Sequence, residues 1–75
     1  MKSFYAHGQP IPHGTKVVVP AGHAHGTGKL RHDIHGEVSG TDHNENGHVF
    51  HRVRWTDKKG KDRTTYAHPH ELRTI

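Results

Sequence analysis

Cationic side chains are concentrated in one stretch of the chain, residues 52–63, where they are suited to hold an anion. The run DKKG, residues 57–60, predicts a hairpin turn, because Gly60 tolerates the positive φ that tight turns require. A four-residue turn would set Arg54 opposite Arg63, an unfavourable pairing of like charges that suggests a use for them. This register would put the cations of both strands on one outward face, beside Phe50 and next to the two turn lysines. The candidate residues for binding nucleic acid or another partner are Phe50, Arg52, Arg54, Lys58, Lys59, Lys61 and Arg63.

Arginine and lysine contact phosphates without regard to base sequence, and the resulting affinity falls with salt. An aromatic ring on the same face can stack on a base. The formal net charge of +4, with histidine neutral, and the pI near 9.8 are compatible with such a polyanionic partner. The alternative is structural, since a charged outer face also keeps the edge of a sheet from pairing with other chains. The expected partner is therefore nucleic acid or a protein, and both stay open.

Eleven histidines are the second chemical feature of the chain. Neutral imidazole binds Zn, Ni and Cu, and a site made of histidine alone needs no cysteine. In an extended segment, residues two apart point to the same side, so a His-x-His pair presents both rings together. The candidate metal ligands are His23, His25, His68 and His70. No established spacing such as His-Glu-x-x-His is present, so weak adventitious binding of Zn or Ni is the alternative, and no dedicated cofactor is expected.

Groups for covalent catalysis are scarce. The chain has no cysteine, which also excludes disulfides and thiolate zinc sites. Its two serines, Ser3 and Ser39, lie outside any Gly-x-Ser-x-Gly pattern. We therefore expect a binding module and not an enzyme.

Short β-branched runs separated by glycine and proline must position these residues, and they predict an all-β fold. Strands are expected over residues 15–19, 34–41, 48–56 and 61–67, followed by a short helical turn over 68–72 and a last strand over 73–75. Residues 20–33, rich in glycine and histidine, are expected to form a long loop. The expected core consists of Val17, Val19, Val38, Val49, Val53, Trp55, Tyr66 and Leu72, and an inward His51 would be a hydrogen-bonded core histidine.

A chain of 75 residues allows one domain with a small core. Residues 1–14, with two prolines and two glycines, predict an extended or flexible arm, and residues 15–75 the domain itself. No apolar run is long enough for a signal peptide or a membrane span, so we expect a cytoplasmic protein without membrane contact.

Three short motifs follow one another in the second half of the chain: GEVSG, VRWTD and TTYAHPHEL. With the order of elements, they resemble small bacterial and phage SH3-like domains of unknown function, and more loosely the KOW and Tudor barrels. The resemblance extends over residues 14–75 and rests on Gly36, Val38, Val53, Trp55, Tyr66 and Leu72. It implies a small SH3-like barrel of about five strands, with one short 3-10 turn before the last strand. The function it implies is binding, and the alternatives are a histidine-rich metal-binding protein and a structural, self-assembling accessory protein.

Overall fold

The computed structural model describes residues 4–6 and 8–75, and strands form almost all of its regular structure. The elements in chain order are β1 (Lys16–Val19), β2 (Ala24–His25), β3 (Gly28–Lys29), β4 (Ile34–His43), β5 (Val49–Thr56), β6 (Asp62–Ala67), a 3-10 turn (Pro69–Glu71) and β7 (Arg73–Thr74). None of the described residues is α-helical, so no described helix is long and apolar enough to cross a membrane. The all-β prediction and the 3-10 turn before the last strand are confirmed.

Five of the strands form one antiparallel sheet in the order β6-β5-β4-β1-β7. β4, β5 and β6 follow one another as a meander, whereas β1 lies between β4 and the last strand. Val17 shows this directly, since it pairs with Gly36 on one side and with Thr74 on the other. The described strands form an open sheet, with β6 and β7 at its two edges.

A small hairpin, β2–β3, occupies the segment that the sequence predicts as a long loop. Its two-residue turn begins at Gly26, which has a φ of +60°, a value that glycine adopts without strain. Two backbone hydrogen bonds extend the pairing, from Leu30 N–H to the His23 carbonyl oxygen (2.9 Å) and from Gly22 N–H to the Leu30 carbonyl oxygen (2.7 Å). Strands of two residues are too short to show an alternating pattern, so periodicity could not reveal them.

The core is built mainly from valines of β1, β4 and β5, as expected, and Val18 is buried as well. The buried cluster consists of Ile11, Val17, Val19, Leu30, Val38, Val53, Ala67 and Leu72. Val49 is also buried, and Trp55 is partly buried against this cluster. The prediction for Tyr66 is wrong: its side chain is 57% exposed, and its neighbour Thr65 takes the inward position.

The described part of the arm lies against the sheet and contains turns at Gly8 and at residues 13–14. Ile11 is buried in the core cluster. Backbone hydrogen bonds join Tyr5 N–H to the Leu72 carbonyl oxygen (3.1 Å) and Gly14 N–H to the Val38 carbonyl oxygen (2.8 Å). The arm therefore covers part of the core.

His51 is fully buried and hydrogen-bonded, as predicted for an inward-facing histidine. The Ile11 N–H donates to its Nε2 at 3.1 Å, so this nitrogen holds no proton and Nδ1 is the protonated one. Nδ1 lies 3.2 Å from the Gly40 carbonyl oxygen and 3.1 Å from Thr41 Oγ1. Burial lowers the pKa of His51 from its ordinary value of 6.5, and the nearby His13 adds to the effect.

Candidate nucleic-acid interface

The turn between β5 and β6 differs from its prediction by one residue, and this difference rearranges the cationic side chains. Thr56 pairs with Asp62, so the turn spans residues 57–61. Arg54 therefore lies opposite Thr64, and Arg63 lies opposite Trp55, which corrects the expected pairing of the two arginines. A shift of one residue moves each side chain of a strand to the other face of the sheet.

Asp57 explains why the larger turn forms. Its Oδ1 accepts hydrogen bonds from the N–H groups of Lys59 and Lys61, both at 2.9 Å, and its Oδ2 accepts one from Arg63 Nε at 3.0 Å. Gly60 supplies the positive φ, +79°, that closes the turn. The bond from the Lys61 N–H, followed by those from Arg63 and Lys59, holds the pKa of Asp57 below its ordinary value.

The outer face of the sheet balances its cations with carboxylates. Arg52 is 3.2 Å from Asp42, and Lys16 is 2.6 Å from Glu37. The Lys16 contact, with a smaller contribution from Arg54, lowers the pKa of Glu37. Asp62 lies on the same face, opposite Thr56. Of the predicted cations, only Arg52 and Arg54 belong to this face. Each has a carboxylate beside it, Asp42 for Arg52 and Glu37 for Arg54.

Phe50 also lies on the outer face, among other rings. It packs edge-on against Tyr66, with ring centroids 6.1 Å apart, and against His68 at 6.3 Å. The sequence prediction is confirmed in placing Phe50 with Arg52 and Arg54. Arg63, in contrast, lies on the opposite face of the sheet.

A groove between two loops gathers the remaining cations. One wall comes from the β2–β3 hairpin and the residues after it, and the other from the β5–β6 turn. Trp55, Leu30 and Ile34 form an apolar floor, and the groove has a volume of about 430 Å³. We call this site the Trp55 groove. Its charged and imidazole side chains are Lys29, Arg31, His32, Asp57, Lys58, Lys59 and Arg63.

The charge of the Trp55 groove is strongly one-sided. Five cations line it against one carboxylate, Asp57, which is already bonded to Arg63. The other four cations form no ion pair or side-chain hydrogen bond with any residue that the structure describes, and all four are exposed: Lys29, Arg31, Lys58 and Lys59. Free cations around an apolar floor are suited to an anion that also has a flat apolar part.

The indole of Trp55 is fixed in place from behind. Its Nε1 donates a hydrogen bond to Thr65 Oγ1 at 2.9 Å, and the same oxygen lies 2.9 Å from His25 Nδ1. The His25 ring meets the indole edge-on, with centroids 5.7 Å apart. The polar atom of the indole is thus satisfied inside the protein.

The four histidines predicted as metal ligands do not form one cluster with each other. His23 Nε2 is 2.8 Å from the Tyr66 carbonyl oxygen, and His25 contacts Thr65. His68 Nδ1 is 2.8 Å from the Val49 carbonyl oxygen, and its ring stacks on His70 at 5.5 Å. Across residues 4–6 and 8–75, no three histidine or carboxylate side chains are grouped so as to hold a metal ion. The two His-x-His pairs therefore do not combine into one metal site among these residues.

The residues predicted from sequence include one wall of the groove and omit the other. Lys58, Lys59 and Arg63 were predicted as binding residues, and the structure brings them to Trp55. Lys29 and Arg31 were not predicted, although they flank Leu30 within a segment otherwise rich in glycine and histidine. No protein-family model matches the chain, and neither a curated protein nor a solved structure matches it.

Proposed function

We propose that this chain is a non-enzymatic binding module that holds the phosphate backbone of nucleic acid in the Trp55 groove. The observation that supports it is the position of the free cations. Lys29, Arg31, Lys58 and Lys59 come from two loops that are distant in sequence, yet they line one groove with no carboxylate paired to them. Lysine and arginine that are not neutralised by the protein supply the sequence-independent part of nucleic-acid affinity.

The groove is a better candidate than the outer face proposed from sequence. On the outer face, Glu37 and Asp42 lie beside the cations that a phosphate would contact. A polyanion there would have to compete with these carboxylates. In the groove only Asp57 is acidic, and its contacts with the turn and with Arg63 occupy both of its oxygens.

We also propose that the domain is a small SH3-like barrel and that the protein is cytoplasmic. The order of a first strand, a long excursion, a three-stranded meander, a 3-10 turn and a last strand supports an SH3-like barrel of the bacterial or phage type. A cytoplasmic location would be in keeping with a nucleic-acid partner.

The test compares two double variants that each remove two positive charges from exposed side chains. Lys58→Gln with Lys59→Gln changes the groove, whereas Arg54→Gln with Lys61→Gln changes cations that do not line it. Fluorescence anisotropy with a labelled oligonucleotide, repeated over a range of salt concentrations, gives the affinity and its salt dependence. We expect the groove variant to lower the slope of log K against log salt by about 1.4, at roughly 0.7 per phosphate contact on a single strand.

The matched control separates local contacts from overall charge. We expect the Arg54 and Lys61 variant to bind nearly as tightly as the unmodified protein, with an almost unchanged salt slope. Equal losses in the two variants would show that the groove has no special role. An unmodified protein that gives no salt-dependent binding to DNA or RNA would contradict the proposed function itself.

A further inference from the structure

The floor of the Trp55 groove narrows the class of nucleic acid that fits it. Resting on the proposed function, we infer that the groove takes one unstacked base of a single-stranded nucleic acid against Trp55, with phosphates on the two cationic walls. The inference depends on the apolar floor, which phosphate binding alone leaves unexplained. Leu30 and Ile34 lie beside the indole at the bottom of the groove.

A double helix presents phosphates at its surface and keeps the faces of its bases stacked inside. Such a ligand would leave Trp55, Leu30 and Ile34 without an apolar partner. A single strand supplies both parts together, since each nucleotide has an anionic phosphate and a base with an exposed π-face. The combination of an apolar floor and cationic walls is therefore complementary to a single strand.

The support behind Trp55 favours stacking of this kind. The hydrogen bond from Nε1 to Thr65 (2.9 Å) and the edge-on contact with His25 hold the indole before any ligand arrives. A ring that is already fixed loses little conformational entropy when a base packs against it. Because its N–H is bonded inward, the contact with the base is through the apolar part of the ring, which tolerates any base.

The arrangement of the cations fits a strand that passes through the groove. Lys29 and Arg31 belong to one wall, and Lys58 and Lys59 belong to the other. The phosphates before and after a base inserted at Trp55 would each meet one wall. Arg63, in contact with Asp57, contributes to the turn as well as to the positive potential.

The decisive experiment varies the ligand and keeps the protein unchanged. A short oligothymidylate of about eight nucleotides is compared with an abasic oligonucleotide that has the same phosphates and no bases. Trp55 is the single tryptophan of the chain, so its intrinsic fluorescence reports directly on the groove. We expect the oligothymidylate to quench this fluorescence and to bind about tenfold more tightly than the abasic strand, which should leave the emission nearly unchanged.

Two variants add an independent check on which ring the base meets. Trp55→Leu should lower the affinity for oligothymidylate to that of the abasic strand, and leave abasic binding as it is. Tyr66→Ser is the control, because Tyr66 is the most exposed aromatic side chain of the outer face, and we expect it to bind as the unmodified protein does. If the Trp55 variant does not fold, the comparison of ligands on the unmodified protein still decides the question.

The outcomes distinguish this inference from the proposed function. Equal affinity for the two strands, both reduced by Lys58→Gln with Lys59→Gln, would overturn the base contact and leave phosphate binding intact. A loss of oligothymidylate binding with Tyr66→Ser and none with Trp55→Leu would also overturn the base contact. No binding of any of these polyanions would contradict the proposed function as well.

Discussion

Lowering the pH from about 7.5 to 5 should weaken the fold through one buried histidine, His51. In the folded protein its Nε2 accepts the N–H of Ile11, which joins the arm to the sheet. A proton added to Nε2 would replace this acceptor with a donor, so the two N–H groups would face each other. His51 is fully buried, and water therefore cannot replace the lost partner.

The size of the effect follows from that single hydrogen bond. A buried N–H left without an acceptor costs about 1–3 kcal/mol. One proton taken up by the unfolded chain at a pKa near 6.5 can lower the stability by at most about 2 kcal/mol at pH 5, so the expected loss is about 1–2 kcal/mol. The sign follows from the lowered pKa of folded His51, against about 6.5 in the unfolded chain. Between these two values the unfolded chain binds a proton that the folded protein does not. The free energy of unfolding should therefore fall as the pH drops through about 6.5, and level off below the folded pKa.

The assay is urea denaturation over this range of pH, followed by Trp55 fluorescence. The informative variant is His51→Gln, whose amide oxygen can accept the Ile11 N–H but does not titrate. Its loss of stability between pH 7.5 and pH 5 should be about 1–2 kcal/mol smaller than that of the unmodified protein. His43→Gln is the control, because His43 is exposed at the end of β4, and it should retain the full pH dependence.

A pH dependence that is the same in His51→Gln and in the unmodified protein would refute this account of His51. So would a larger change in His43→Gln than in His51→Gln. Either result would mean that the other ten histidines determine the acid sensitivity of the fold.

Three further sets of variants test the packing and the groove. Gly36→Ala should destabilise the fold by about 1–3 kcal/mol in urea denaturation, because its Cβ would lie 2.9 Å from a β5 carbonyl oxygen. Gly40→Ala should change stability by less than about 0.5 kcal/mol, because the three atoms nearest to its Cβ belong to the movable end of the Arg52 side chain. Thr65→Val should cost about 1–3 kcal/mol and shift the emission of Trp55, because the indole N–H loses its acceptor. Asp57→Asn should retain an oxygen for the turn, remove the one carboxylate of the groove, and bind oligonucleotides several-fold more tightly by anisotropy.

Each of these has an outcome that would contradict it. An equal loss of stability in the two glycine variants would mean that the β5 backbone moves away from a new Cβ as easily as the Arg52 side chain does. An unchanged stability in Thr65→Val would mean that water replaces the threonine hydroxyl. Weaker binding by Asp57→Asn, at unchanged stability, would mean that the carboxylate aids the ligand contact.

The fold could be predicted well from sequence where side chains alternate over several residues. The run from Val49 to Trp55 gave the correct faces of β5, because inward and outward positions differ clearly in polarity. Tyr66 was assigned to the wrong face because its strand is rich in threonine, which fits either face, so only the turn could set the register. The five-residue turn that forms depends on the hydrogen bonds of Asp57. The sequence alone does not specify these hydrogen bonds.

The candidate site depends on contacts between segments far apart in the chain, and this is why half of it was missed. Lys58 and Lys59 could be predicted because they are adjacent in an obvious turn. Lys29 and Arg31 lie about thirty residues earlier, at and just after a hairpin with two-residue strands. The packing of Leu30 against the core and the contacts of His25 with Thr65 and Trp55 bring them to the groove. Among the described residues the two histidine pairs do not form one cluster: His23 and His25 contact β6 residues, whereas the rings of His68 and His70 stack on each other. Their role as metal ligands therefore stays a prediction.

The position of β1 between β4 and β7 has a consequence for how the chain acquires its structure. The β4–β5–β6 meander requires only short loops to close, whereas the pairing of Val17 with Thr74 closes almost the whole chain. The meander should therefore form in the folding transition state, and the β1–β7 pairing should come late. Native-state hydrogen exchange would then show the amides of β7 opening before those of β5, at a lower free energy than global unfolding. Arg73 and Thr74 pair with Val18 and Val17, so the β1–β7 contact joins two segments that are far apart in sequence.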